Sequence, residues 1–580
     1  MVDAAFSAIP VVETAPCLQR PRRAEVLAVT ALAIVALAQG FFAVKLNQLY
    51  YAKHAPFFDS MAYDCILARV LTASSEHGIA AGLHEAIFDS TVALPYLLAA
   101  LAGPWASVSR ATGVWLQIPW VFALLLSCYA VFRLRFRASP WTAFFLALPF
   151  TSISAIYFVD GGLSDFRMDL QNYLLYGCAV CWFVIALQTR SFAHWIVCGV
   201  FIGLAALARA TAPVFLVLTF GPILMLRLGL DAGKWKKLLL GASVAFVVAA
   251  LVAGWFFLLR YRYLYYYYVV WNTDANAHLP LRTSVAHFRY AWESVGGWIV
   301  ISSVAAVAVT ISWRSPSRAR IKKWLSTFPW EFALAALVPA GFLVVRGAGK
   351  NPFVSMPSAF GLVGLILAAR GDWSDVGRFR GGLAAAILIV ACAINAHSGY
   401  DILSPSQTRD QVAGYNTALE YLQADSRKRG LATAEFTTMS VSNSFCTDAL
   451  FNILVFDKGY SHVVGMAASN RELTIDADHA AQFTAATYWD WLTIPGATDA
   501  ERIDHLVKTA NSSIDYIFIP SDATLTWLET QRSSYYINHY SRWLAHEILA
   551  NPAWSPISRQ IPINASETFT IYANRSRSPK

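Results

Sequence analysis

The sequence predicts a polytopic α-helical membrane protein with a C-terminal soluble α/β domain. Three observations predict it. Apolar runs of about twenty residues recur between positions 24 and 397, the length that crosses a bilayer as helix. The 580 residues are 57% hydrophobic and 14% charged, where a soluble protein carries about 25% charged residues. From about residue 398 polarity becomes mixed and no run reaches spanning length.

The formal net charge of +9 does not point to nucleic acid, and no nucleic-acid partner is expected. The basic residues sit in short loops between apolar runs, as the orientation rule for membrane helices requires. Twenty Trp and twenty-five Tyr suit a protein with two membrane interfaces to anchor.

Residues 1–23 read as a cytoplasmic tail ending in Arg20, Arg22 and Arg23. The apolar run after them is too long for a signal peptide and lacks a small-residue cleavage site. That run, 24–45, is the first span, and residues 46–112 form a long extracytoplasmic loop. In this loop Asp59 can cap a helix that puts Ile66, Leu67, Val70 and Leu71 on one face. A short amphipathic helix there is expected to lie on the membrane surface.

Segment 88–104 is apolar but short and interrupted by Pro95. If it crossed, the basic groups at 133–137, 234–237, 314–323 and 370–380 would all lie outside, so it is placed at the outer interface or partly re-entrant. The remaining spans fall near 113–133, 141–158, 172–189, 193–208, 212–229, 238–259, 297–313, 330–345, 352–369 and 381–397, about eleven in all. An odd count puts residues 398–580 outside the cell membrane. There, 417–424 and 541–549 read as helices, and 514–519 and 567–573 as strands.

Of eight Cys, five fall in apolar segments, and the pair Cys178 and Cys181 reads as buried core rather than a metal or redox motif. A disulfide between Cys65 and Cys446 stays open.

The candidate chemistry is carried by acids and bases on one side. Asp59 reads as a helix cap and as a catalytic carboxylate; the two roles coexist. Asp160, Asp165 and Asp169 cluster in the loop 159–171, where a solvated turn is the plain alternative. Asp169 stands at the mouth of the next span, where a bare carboxylate is costly without a task or a partner such as Arg167. Arg346 and Lys350 flank glycines in a tight outer hairpin, which suits a phosphate or plain headgroup contact. Arg209 is a lone outer cation at a helix end, suited to an anion or to the helix dipole. The loop 260–296 is rich in interfacial tyrosines and also holds His278 and Arg282.

In their order, these features resemble the GT-C membrane glycosyltransferases, in particular the lipid-A aminoarabinose transferase and protein mannosyltransferase group. The group's acid after the first span, followed by Tyr, is similar to Asp59 with Tyr63; Ser60 stands where many relatives have Glu. Its second acid at the mouth of a span resembles Met168-Asp169-Leu170, without the Pro. Arg209-Ala210 loosely matches a basic residue after the fifth span, and Lys350-Asn351-Pro352 resembles an outer Lys-x-Pro hairpin without its Tyr. The first-loop Lys-Pro of relatives is missing from Phe88–Val92, which puts phosphate binding on Lys350, Arg346, Arg282 and Arg209.

The resemblance implies a bacterial inner-membrane enzyme. It would move a sugar from a polyprenyl-phosphate carrier to a lipid, glycan or protein of the cell envelope on the periplasmic face, with inversion. Asp59 is then the base, and Asp169 orients it or the acceptor, or shares a divalent cation with it. Tyr63, Asp165 and His278 are expected to line the substrate. The competing readings are a flippase of a lipid-linked saccharide and a scaffold that displays the C-terminal domain.

Overall fold

The computed structural model describes residues 23–54, 58–88, 93–157, 161–230, 235–265, 296–311, 328–346, 352–402, 411–431, 433–439, 462–464, 470–474, 482–486, 498–530 and 538–577. The chain divides into two compact units. The first holds residues 1–44, 91–95 and 114–403; the second holds 45–90, 96–113 and 404–580.

The first unit is a helical bundle. In chain order its helices are α1 (Arg23–Tyr51, shared with the second unit), α5 (Arg110–Leu134), α6 (Pro140–Ala147), α7 (Met168–Thr189), α8 (Phe192–Ala208), α9 (Ala212–Leu230), α10 (Trp235–Tyr265), α11 (Gly297–Thr310), α12 (Trp330–Arg346), α13 (Pro352–Ala369) and α14 (Arg378–Ile402). Among the described residues five helices are long and apolar enough to cross a membrane: α1, α5, α7, α10 and the Arg378–Ala396 part of α14. The other apolar helices are shorter.

Helix α7 is the hub, with 94% of its central window buried. Its Gly177 leaves room for α13: a Cβ there would meet Leu124 at 2.6 Å and Phe360 at 2.9 Å. Phe360 in turn packs among the rings of Phe150, Tyr173, Tyr176 and Phe332. Helices α8 and α10 approach through Gly199 and Gly203, a small-x-x-x-small pair; a Cβ on Gly203 would sit 2.6 Å from Val252.

The expected span 141–158 is not one helix. Ser139 caps α6 by accepting from the Thr142 amide at 3.2 Å, but the helix stops at Ala147, ahead of Pro149. Two 3-10 turns, Leu148–Thr151 and Ser154–Tyr157, continue the path. Backbone that leaves the helix among apolar spans must find other partners. Gln39 of α1 donates to the Thr151 carbonyl at 2.9 Å, Asn395 of α14 donates to the Ser152 carbonyl at 3.2 Å, and the Tyr173 hydroxyl of α7 donates to the Phe150 carbonyl. A run of hydroxyls (Thr151, Ser152, Ser154) that hydropathy averaging absorbed into a span therefore marks a break.

The second unit contains α2 (Phe58–His77), α3 (Ile79–Phe88) and α4 (Leu94–Ala102, begun in the first unit). At nine residues, α4 is too short to cross a bilayer. Among the described residues its C-terminal part carries eight strands in one mixed sheet and the helices α15 (Gln411–Arg429), α16 (Asp499–Ser513), α17 (Asp522–Thr530) and α18 (Asn538–Leu549). The strands are β1 (Thr433–Thr438), β2 (His462–Val464), β3 (Asn470–Thr474), β4 (Gln482–Ala486), β5 (Tyr516–Pro520), β6 (Trp554–Pro556), β7 (Ile561–Pro562) and β8 (Thr568–Asn574). Their order is β2-β3-β4-β1-β5-β8-β6, with β7 on β8. Strand β1 pairs in parallel with β4 and β5, and the outer pairs are antiparallel.

Helix α2 is buried on more than the one face its spacing implies. Ile66, Leu67, Val70 and Leu71 are buried as their spacing implies, but so are Cys65, Ala68 and Arg69. Cys65 and Ala68 belong to the same apolar core as Tyr415, Leu422, Phe436 and Tyr516. Two charged residues of the helix have partners within the unit: Arg69 pairs with Glu85, and Asp64 with Arg110 at 3.5 Å.

Candidate functional site

The acidic turn before α7 builds the candidate site of the first unit. Gly161 takes a positive φ of 84°, which suits glycine at a tight turn. Its amide donates to the Asp165 carboxylate at 2.7 Å, and Gln117 of α5 donates to the Asp165 carbonyl at 3.0 Å. The Asp165 carboxylate thus closes the turn that delivers the chain to Arg167 and Asp169.

Asp169 sits in the first turn of α7 and is 1% exposed. Negative charge is favoured at that end of a helix. Arg167, two residues earlier, places Nε 3.1 Å from one carboxylate oxygen. Arg209, just past the C-terminus of α8, bonds the other oxygen. The antiparallel pairing of α7 and α8 brings residues 40 apart in sequence to one end of the bundle. Both arginines are largely buried. The cluster therefore holds two guanidinium groups beside one buried carboxylate.

Arg209 thus lies against Asp169, the partner that sequence spacing did not give it. Arg167 takes the place its neighbourhood in sequence suggested. In the second unit Asp59 stands in the first turn of α2; its side chain lies outside the described residues. Tyr63, one turn on, is half-buried, and its carbonyl accepts from the Tyr96 hydroxyl at 3.3 Å. Asp160, His278, Arg282 and Lys350 lie outside the described residues, as does the side chain of Arg346 at the end of α12.

A divalent cation fits Asp169 poorly. Both of its oxygens face guanidinium nitrogens, and cations of this kind want several oxygen ligands. Among the described residues no group of three or more His, Cys, Asp or Glu side chains gathers to hold a metal.

Two buried clusters escaped the sequence reading. Arg110 lies over the Tyr51 ring at 4.8 Å while pairing with Asp64 in the second unit. In the first unit Glu331, 1% exposed, lies between Arg227 at 3.2 Å and Arg135 at 3.7 Å. Glu331 opens α12, Arg227 closes α9 and Arg135 follows α5, so this cluster occupies the end of the bundle opposite Asp169. The available signal was a single acid among apolar residues at a helix start, with arginines at the ends of two other spans.

No family model and no curated protein matches the chain. Solved structures do match it in fold. ArnT from Cupriavidus metallidurans bound to undecaprenyl phosphate is similar over 94% of this chain and 98% of its own, at 12% identity and a TM-score of 0.52. The apo state of the same protein is similar over 96% of this chain and 100% of its own, at 13% identity and a TM-score of 0.51. The likeness covers both units and is one of fold.

Proposed function

We propose that the protein is a glycosyltransferase that moves a sugar from a polyprenyl-phosphate carrier to an acceptor of the cell envelope, on the outer face of a bacterial inner membrane. The observation that supports it most is the whole-length likeness of fold to ArnT, whose solved structure holds undecaprenyl phosphate. The two guanidinium groups gathered at Asp169 support an anionic substrate at the same end of the bundle.

In this reading Asp59 takes the acceptor's proton as its oxygen attacks the sugar carbon, since hydroxyls are poor nucleophiles without a base. Direct attack inverts that carbon and expels the lipid phosphate. The charge that grows on the phosphate is met by fixed cations, which cost no reorganisation during the reaction. Arg209, held by Asp169, is one such cation; Arg346, Lys350 and Arg282 are the others. Asp169 then acts by fixing Arg209, and no step needs a metal. Tyr63, Asp165 and His278 are assigned to the substrate's surroundings, Asp165 through the turn it closes. The acceptor is a lipid, a glycan or a protein.

The test is mass spectrometry of envelope lipids and glycans from cells with the wild-type chain, without it, and with Asp59→Asn. A glycosylated product that vanishes in both altered strains is the expected result. A product that persists with Asp59→Asn removes the base from the mechanism. If no covalent product changes and a lipid-linked saccharide accumulates on one side of the membrane, the protein is a flippase.

A further inference from the structure

The bundle end that carries Glu331 has a feature the transferase reading does not use. Helix α13 returns to this end, and the link from Ala369 to Arg378 folds back over it. The Trp373 amide donates to the Phe136 carbonyl at 2.8 Å, which fixes the link. Beside it lies a cavity of about 440 Å³, walled by Thr310 of α11 and by Asp375, Arg378, Phe379 and Arg380 at the start of α14.

We propose that this cavity binds the phosphate of an anionic membrane lipid in the leaflet at that end of the bundle. Two guanidinium groups, on Arg378 and Arg380, belong to its wall. The opposing charges are already engaged. Asp375 is 2.5 Å from Arg370, and Asp372 faces Arg137 at 4.0 Å. The first amides of α14 point out of the helix without intrahelical acceptors and add donors beside the cations.

Two further observations make the ligand a lipid rather than a free anion. Phe379 is 85% exposed between the two arginines, an apolar ring suited to the boundary of headgroup and acyl chain. Only 28% of the apolar window of α14 is buried by protein, so the helix faces hydrocarbon and its first turn stands in the headgroup layer. Basic pockets between membrane helices hold acidic headgroups through this chemistry. The site lies opposite Asp169 and does not depend on the transferase reading.

The experiment is native mass spectrometry of the full chain released from nanodiscs of equal parts phosphatidylglycerol and phosphatidylcholine. The wild type is expected to retain phosphatidylglycerol preferentially. Arg378→Gln/Arg380→Gln should lower that preference about tenfold, and Arg378→Lys/Arg380→Lys should keep most of it. Equal retention of the two lipids by the wild type overturns the proposal. So does an unchanged preference in the Gln variant, or displacement of the lipid by excess inorganic phosphate.

Discussion

Asp169 and Glu331 are each a buried carboxylate between two arginines, and they stand at opposite ends of one bundle. They are built differently. Asp169 draws one partner from two residues away and the other from the next helix, within a turn shaped by Gly161 and Asp165. Glu331 gathers its arginines from the ends of two helices distant in sequence, so it joins three spans. The ion pattern alone does not separate a site from a clamp. Where the partners come from does: the first cluster ties one turn to the neighbouring helix, and the second ties three spans together.

The largest effect expected from this contrast is on transfer. Asp169→Asn should lower product formation per folded molecule by about a hundredfold or more, the scale of losing a preorganised charged group, besides costing about 3–5 kcal/mol of stability through its two buried arginines; product mass spectrometry and thermal unfolding in detergent check the two halves. Near-normal transfer by this variant would make Asp169 a second clamp. Glu331→Gln should affect stability alone. It leaves two buried arginines uncompensated and should cost about 3–5 kcal/mol of stability, read as a lowered unfolding midpoint, with activity per folded molecule retained. Gln39→Leu removes the shorter of two bonds to the Thr151 carbonyl, the Tyr157 hydroxyl keeping the other at 3.3 Å, and should cost about 0.5–1.5 kcal/mol, with no change in lipid selectivity.

The smallest effect concerns the link near Glu331. Asp372 is pushed up by partial burial, but hydrogen bonds from Ser374 and the nearby Arg137 and Arg370 outweigh this and hold its carboxyl below the usual value. A depressed folded pKa means stability that is present above the ordinary carboxylate value and lost as pH falls through the folded one. Asp372→Asn should flatten the acid limb of the unfolding midpoint against pH. An unchanged acid limb would show that the link adds no pH-dependent stability.

Much of this architecture is legible in composition and period. Each expected span other than 141–158 is a helix, because twenty apolar residues in a row have few other ways to satisfy their backbone. The helices and strands expected beyond residue 398 that fall in described segments also formed, since 514–519 and 567–573 carry the apolar content and alternation of paired strands. The break after Ala147 was hidden because Pro149 and three hydroxyl residues sit among apolar neighbours, and its partners Gln39, Tyr173 and Asn395 are far away in sequence. Arg167 beside Asp169 could be read from spacing; Arg209 and the Glu331 cluster could not, because only the packing of spans brings them together. The burial of α2 beyond one face was hidden for the same reason: Glu85 and Arg110, the partners of Arg69 and Asp64, are not supplied by spacing along the helix.

The burial of α2 sets an order of events during synthesis. Cys65 and Ala68 share a core with side chains from Tyr415 to Ala573. About 500 more residues must therefore leave the ribosome before that segment has its final neighbours, on the order of tens of seconds at ordinary elongation rates. Until then the segment bearing Asp59 lacks its packing, so a nascent or truncated chain should be inert however well its spans have inserted.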